Sequence, residues 1–240
     1  MLASNRPFHR ALYLQVRDVL AERIANGTWK AGAPIANECD LARELGVSAG
    51  TVRKALELLE AQRLITRRQG RGTFVSDQTS NEHIARFCNI YGPDGVGLTS
   101  RVLLVEVREG MGSEQECRHL RLGKGDAVYR IRRVWHHGDH KSMVANMTVP
   151  AALFPGLVGN EAAAGSINGL AQAFGILLGR QEVRISLKSL SAGIAETLGV
   201  AAGTPALQAQ RLVFMLDQSP LEWGTAHISL PGSYFQTDVG

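Results

Sequence analysis

Apolar and polar positions along the first third of the chain trace three helical stripes and then the alternation of a hairpin. Leu12, Val16, Val19, Leu20 and Ile24, with the stem of Arg23, recur at helical spacing and predict an amphipathic helix ending at Asn26-Gly27. Asn37 stands where an N-cap belongs, ahead of a short helix from Glu38 to Leu45 that turns Leu41 and Leu45 inward. Gly46-Val47 makes a turn, and Ser48 caps a third helix to about Gln62 with Val52, Ala55, Leu56 and Leu59 as its buried stripe. Leu64 to Arg68 then alternates as a strand, Gln69-Gly70-Arg71-Gly72 is a tight turn, and Thr73-Phe74-Val75 returns. Helix, helix-turn-helix and hairpin in this order predict a winged helix-turn-helix over residues 7–77.

Ser76 to Asn81 is polar and aperiodic and reads as a linker. Beyond it strands and short helices alternate, predicting a second domain over residues 82–236. Strands are expected at Arg101 to Arg108, Ala127 to His137, from the Gly138-Asp139 turn to Val149, and Val183 to Leu190. Ser113, Ser166 and Ser191 each precede a helical stretch, ending at Leu120, Phe174 and Leu198. A last hairpin joins Ala206 to Leu216 with Leu221 to Leu230. An internal repeat at an offset of 78 aligns Ser113 with Ser191, Leu120 with Leu198, Gly125 with Gly203 and Arg133 with Arg211. A duplicated helix–strand–strand unit builds an antiparallel sheet carrying helices, so the fold class is α+β.

Charge sharpens the division. Residues 1–77 hold 12 Lys/Arg against 8 Asp/Glu, whereas residues 78–240 hold 14 of each, so the whole net charge of +4 lies in the first third. A basic module joined to a neutral one suits a polyanion-binding head with a different partner for the rest. The three cysteines, Cys39, Cys88 and Cys117, are widely spaced and form no C-x-x-C pair, which favours reduced thiols in a cytoplasm. No apolar run approaches the roughly 18–20 residues of a membrane span, and Met1 to Arg10 lacks a signal-peptide core. No membrane association is expected.

In such a head the third helix lies in a major groove with its N-terminal residues at the base edges, and Arg71 at the hairpin tip reaches phosphates or the minor groove. The pattern alone leaves open a three-helix module that binds protein. The run from Leu12-Tyr13 through Asn26-Gly27, Val47-Ser48, Thr51-Val52-Arg53-Lys54-Ala55-Leu56 and Gly70-Arg71-Gly72-Thr73-Phe74-Val75 resembles the GntR family of transcription regulators. The resemblance implies binding to a double-stranded operator. Its DNA-facing set is Asn37, Ser48, Thr51, Arg53 and Lys54 on the helices and Arg68, Gly70, Arg71 and Gly72 on the wing. Ile35-Ala36-Asn37-Glu38 replaces the family's Leu-Pro-Ser-Glu, and Cys39 and Ala49 occupy positions where arginines commonly touch DNA, so the preferred bases should differ. Arg63 replaces a favoured glycine and would be strained if that position needs a positive φ.

Leu120 with Gly125, Tyr129-Arg130-Ile131-Arg132-Arg133, Val149-Pro150, Phe154-Pro155-Gly156-Leu157, Gly165-Ser166, Leu198-Gly199-Val200, Gly203-Thr204-Pro205, Arg211 and Pro220-Leu221-Glu222 are similar, in order and spacing, to the UTRA effector-binding domain of the HutC-like branch. That resemblance implies a chorismate-lyase-like fold, a homodimer and a cleft for a small carboxylate or phosphate. By position it places Arg133 on an anionic group, Ser166 and Asn168 as donors at a helix start, Glu222 on hydroxyls or an amine, and Phe87 over the ligand. Trp135 stands where members that bind phosphorylated sugars tend to carry a second arginine, and implies a flatter or more apolar effector. The expected function is repression of a metabolic operon relieved by a small anionic ligand. The rivals are an enzyme of lyase-like fold, for which no catalytic constellation is readable, and a DNA-anchored interaction module. His136-His137-Gly138-Asp139-His140 sits on a hairpin turn and is not taken as a metal site. No cofactor is expected.

Overall fold

The computed structural model describes residues 11–77, 90–95, 101–137 and 139–236. The chain divides into two compact units, Met1–Gln78 and Thr79–Gly240.

The first unit opens with α1 (Leu12–Ala25), β1 (Pro34–Ile35), α2 (Glu38–Leu45) and α3 (Ala49–Ala61), and closes with β2 (Ile65–Arg68) and β3 (Gly72–Val75). Asn37 caps α2 through its side-chain oxygen, which accepts from the amides of Cys39 and Asp40; Ser48 caps α3 by accepting from Thr51. Val52, Ala55, Leu56 and Leu59 are buried as expected. The buried arc of α1 differs from expectation: it is Val16, Arg17, Leu20, Ala21 and Ile24, while Leu12 and Val19 are exposed. At about 100° per residue that arc centres between Leu20 and Ile24, and Val19 lies on the far side of it. The arginine stem inside it belongs to Arg17, whose head reaches Asp18 at 2.7 Å. The hairpin gains a third strand not anticipated from the sequence, because Pro34 and Ile35 pair with Phe74 and Thr73. Arg63 does adopt a positive φ of 57° just after α3, so an arginine holds a turn that glycine would take without strain.

The second unit is built on a six-stranded antiparallel sheet. Its strands are β5 (Arg101–Met111), β6 (Ala127–His137), β7 (His140–Pro150), β8 (Leu178–Ser189), β9 (Pro205–Met215) and β10 (Pro220–Ile228), in the spatial order β5-β6-β7-β10-β9-β8. A separate ladder pairs β4 (Ile90–Tyr91) with β11 (Tyr234–Phe235). The helices are α4 (Glu114–Leu120), α5 (Ile167–Ala173) and α6 (Ala192–Leu198). The predicted repeat is visible in this order and is larger than expected. Strand, helix, strand, strand runs as β5-α4-β6-β7 and again as β8-α6-β9-β10, and the two halves meet along β7 and β10. β8 begins at Leu178, five positions before the predicted start.

Alternation along the strands sorts the sheet into two faces. On one face α6 packs through Ala195 and Leu198 near Val134 and Val144. There α4 is fastened by its own N-cap, since Glu116 completes a capping box with Ser113 and accepts hydrogen bonds from Arg130 on β6 and Thr148 on β7. On the other face Phe154, Leu157, Ile167 and Leu170 close over Tyr129, Ile131 and Val149 at one end. Trp135, Met143, Met147 and Ile228 gather at the other end around Ala145, Ala209 and Ala226.

Candidate DNA-reading and effector sites

In the first unit Arg53, assigned to DNA from the sequence, is held by a carboxylate on the neighbouring helix. Arg53, on the second turn of α3, donates from Nε to Glu38 Oε2 at 2.8 Å and keeps its side chain 60% exposed. Glu38 also takes Arg67 from the wing at 3.5 Å, and Arg67 Nε lies 3.4 Å from Glu60. One carboxylate thereby ties α2, α3 and β2 together and restrains the Arg53 guanidinium. Lys54 is exposed beside Arg53. Asn37 and Ser48 are spent on capping, and Ser48 Oγ also shares a hydrogen bond with Thr51 Oγ1 at 2.9 Å. On the wing Gly70 and Gly72 both take positive φ, Arg71 is exposed at the tip, and the Arg68 guanidinium stacks 5.0 Å from the Phe74 ring centroid. Glu38 and Arg67 were not singled out from the sequence. An acid in the first turn of α2 reads as helix-dipole chemistry, and its partners are 15 and 29 positions away.

In the second unit the candidate effector residues share the face that carries α5. One row across the sheet reads Arg133, Ala145, Ala226, Ala209 on β6, β7, β10 and β9. Three one-carbon side chains in a row form a low floor, and Trp135 with Met143 and Ile228 rises along its next row. Arg133 lies in the middle of β6 rather than at a strand start, with its side chain 1% exposed. Its Nε donates to the Ala163 carbonyl at 2.9 Å, and an amino group stands 3.9 Å from Glu222 Oε2, too long for a hydrogen bond. Glu222, fully buried, takes its close contact from Arg211 through the other oxygen. Burial pushes the Arg133 guanidinium down to about 10; the Glu222 carboxylate opposes the drop and Arg211 adds to it. Arg133 is thus a guanidinium in a buried ion cluster with Glu222 and Arg211.

Trp135 lies on the same face as Arg133, two residues along, and is buried. Ser166 caps α5 and accepts from the Gly169 amide at 3.3 Å; Asn168 is buried in the first turn of the same helix. Phe87 lies outside the described residues. Arg211 is the cluster member that sequence reasoning left unassigned, although the repeat had already paired it with Arg133. Among the described residues no group of three or more His, Cys, Asp or Glu could hold a metal, and His137 faces Asp94 at 3.3 Å.

Comparison with known proteins resolves both units. The profile of bacterial regulatory proteins of the gntR family matches residues 12–75, and that of the UTRA domain matches residues 95–230, more than half of the chain. The chain belongs to the UTRA-bearing gntR family. The matched family is one of bacterial regulatory proteins, and two relatives, from Escherichia coli and Bacillus subtilis, are named repressors. Over 152 residues the chain is 32% identical to the mannosyl-D-glycerate transport/metabolism system repressor MngR of Escherichia coli, covering 62% of each chain. It is 24% identical over 213 residues to the repressor NagR of Bacillus subtilis, covering 88% of this chain and 87% of that one. Among solved structures PhnF from Mycobacterium smegmatis superposes with a TM-score of 0.52 at 24% identity, covering 89% of this chain and 93% of that chain. The match spans about three fifths of the length of the Escherichia coli repressor. No described helix is long and apolar enough to cross a membrane.

Proposed function

We propose that this UTRA-bearing gntR protein is an effector-controlled repressor of a metabolic operon. Residues 7–77 read a double-stranded operator, and residues 82–236 bind a small anionic effector and pair two copies. The observation that carries the reading is the buried Arg133–Glu222–Arg211 cluster beside the alanine floor. Arg133 keeps one terminal amino group, and Glu222 one oxygen, without a hydrogen-bond partner, which is costly inside a domain unless something binds there. Relatives named as repressors of mannosyl-D-glycerate metabolism and of histidine utilisation support the operon assignment. Two-fold related recognition helices then meet the half-sites of a pseudo-palindrome. Effector binding at the sheet shifts the population toward a state in which the helices lose that register, and the operator is released. Arg133 takes the anionic group, Glu222 a hydroxyl or amine, Trp135 the body of the ligand, and Ser166 and Asn168 add polar contacts.

Two measurements test the framework. Arg53→Ala is expected to cost roughly 1–3 kcal/mol of operator binding by fluorescence anisotropy. Arg71→Ala is expected to weaken all duplexes alike and to reduce the slope of affinity against salt. Unchanged affinity in both variants would remove the docking geometry. Light scattering is expected to give a dimer for the whole chain and for residues 82–236 alone; a monomeric fragment at micromolar concentration would place the pairing surface elsewhere.

A further inference from the structure

Leu187 is the most exposed large apolar side chain among the described residues, at 70%. It stands on β8, an edge strand of the six-stranded sheet, with no strand beyond it among the described residues. The register places it at the end of a row that runs Trp135, Met143, Ile228, Leu207, Leu187 across β6, β7, β10, β9 and β8. The first three belong to a buried cluster and Leu207 packs against it, so the apolar row reaches the edge and ends in an exposed leucine. Open edges in lone domains are kept short, broken by proline or bulges, or covered. β8 instead pairs with β9 without a break over residues 181–189, a run that holds no proline or glycine. The sheet's other edge, β5, carries an irregularity between Leu104 and Glu106.

We infer that a second copy of this chain pairs on β8, antiparallel, about a two-fold axis at Ile185, and joins two six-stranded sheets into one. This names the surface for the pairing of copies given under the proposed function and rests on that reading. A two-fold axis normal to a sheet must pass through a residue position, because residues standing opposite one another share a face. Centred on Ile185, the pairing uses the whole unbroken run of residues 181–189. On the face of the buried cluster Ile185 meets Ile185 of the second copy, and Val183 meets Leu187 twice, so the exposed leucine is covered. On the opposite face Glu182 meets Lys188 twice and Arg184 meets Ser186 twice; Glu182, Arg184 and Lys188 are all exposed. Glu182 holds Arg180 of its own strand and remains 59% exposed, which leaves room for a second cation. Neighbouring registers fail on charge or geometry. A centre at Arg184 sets that arginine on its own copy and Arg180 on Lys188, and a centre at Ser186 sets Arg184 on Lys188 twice. A centre at Val183 crosses the irregularity between Leu178 and Gln181 and puts Leu187 opposite Gly179. Opposite charges and branched apolar pairs across strands are favourable, whereas like charges directly opposite are not.

The test is the dimer dissociation constant of the whole chain, measured by sedimentation at low salt, with circular dichroism showing that each variant is folded. Leu187→Asp is expected to raise that constant about tenfold or more, because the carboxylate lands opposite Val183 of the second copy. Glu182→Lys sets lysine opposite Lys188, and Lys188→Glu sets glutamate opposite Glu182; each should raise the constant about tenfold, and less as salt is added. The double variant Glu182→Lys with Lys188→Glu rebuilds both pairs in reverse and should return to within about threefold of the parent. A role for either residue confined to its own copy gives no such rescue. Arg108→Glu on β5 should leave the dimer intact. Single charge reversals without effect, or a double variant no tighter than the singles, would overturn the register. A dimer untouched by Leu187→Asp, or one dissociated by Arg108→Glu alone, would overturn β8 as the pairing edge while leaving the dimer of the proposed function in place. A parent chain that is monomeric at micromolar concentration would remove that dimer and this surface together.

Discussion

Arg133→Met is expected to abolish the effector response while leaving operator affinity unchanged and ligand-free stability equal to or above that of the parent. The sign follows from the cluster. Arg133 is a base whose folded-state pKa is lowered from the ordinary arginine range to about 10, first by burial. Its charged form is therefore less favourable in the folded chain than in the unfolded one. The penalty is present at every pH below about 10 and disappears only as pH climbs toward the unfolded value, outside any working range. At neutral pH it amounts to roughly 3 kcal/mol. Methionine fills much of the same volume without charge, and Glu222 retains its contact with Arg211. Against this stands the hydrogen bond from Arg133 to the Ala163 carbonyl, worth about 1 kcal/mol. The balance is a change between zero and about 2 kcal/mol toward greater stability, as for other buried ion clusters replaced by apolar side chains. Release of a fluorescent operator by effector gives the functional arm, and melting curves give the other. A destabilised variant that still responds to effector would make Arg133 a purely structural residue.

That cluster also marks where sequence reading stops. Period and caps located most of the scaffold. Ala127 to His137 runs the full length predicted, since a turn signal at Gly138-Asp139 bounds one end and Gly125 the other. Asn37, Ser48, Ser113 and Ser166 all cap as expected because a cap is a contact between residues two or three apart. Ser191 precedes α6 without making the side-chain bond, and Gly199 ends that helix in the left-handed region. Errors arose where a partner lies far along the chain. The exposed face of α1 depends on where α3 packs, and β1 is two residues long and exists only by pairing with β3. Family position assigns Arg133 to the site, yet the carboxylate that faces it, Glu222, stands 89 positions away. The offset repeat was the one signal in the sequence that linked Arg133 to Arg211, and the sheet turns that offset into shared contact with one carboxylate.

The second large effect is expected at Glu116, on the opposite face of the sheet. Burial alone would raise this carboxyl, but hydrogen bonds from Arg130, from the Ser113 amide and hydroxyl, and from Thr148 outweigh it and hold the group at about 2, below its ordinary 4.5. A carboxylate with a lowered folded-state pKa contributes stability that is complete above about pH 4.5 and is lost as pH falls toward 2. The full shift corresponds to roughly 3 kcal/mol, and because the Arg130 partner is 42% exposed and can rehydrate, about 2 kcal/mol is the better expectation for Glu116→Gln. Glutamine keeps the reach of the capping box to the Ser113 amide, so the substitution isolates the charge from the cap. Trp135 and Trp223 both lie in this unit, and Trp223 stacks on His119 of α4 at 4.4 Å, so tryptophan fluorescence reports the transition. The gap between parent and variant should be full near pH 7 and narrow steadily between about pH 4.5 and pH 3 as the parent's carboxylate takes up its proton. A gap that stays constant over that interval would assign the loss to packing at the α4–sheet contact and remove the ion pair as its cause.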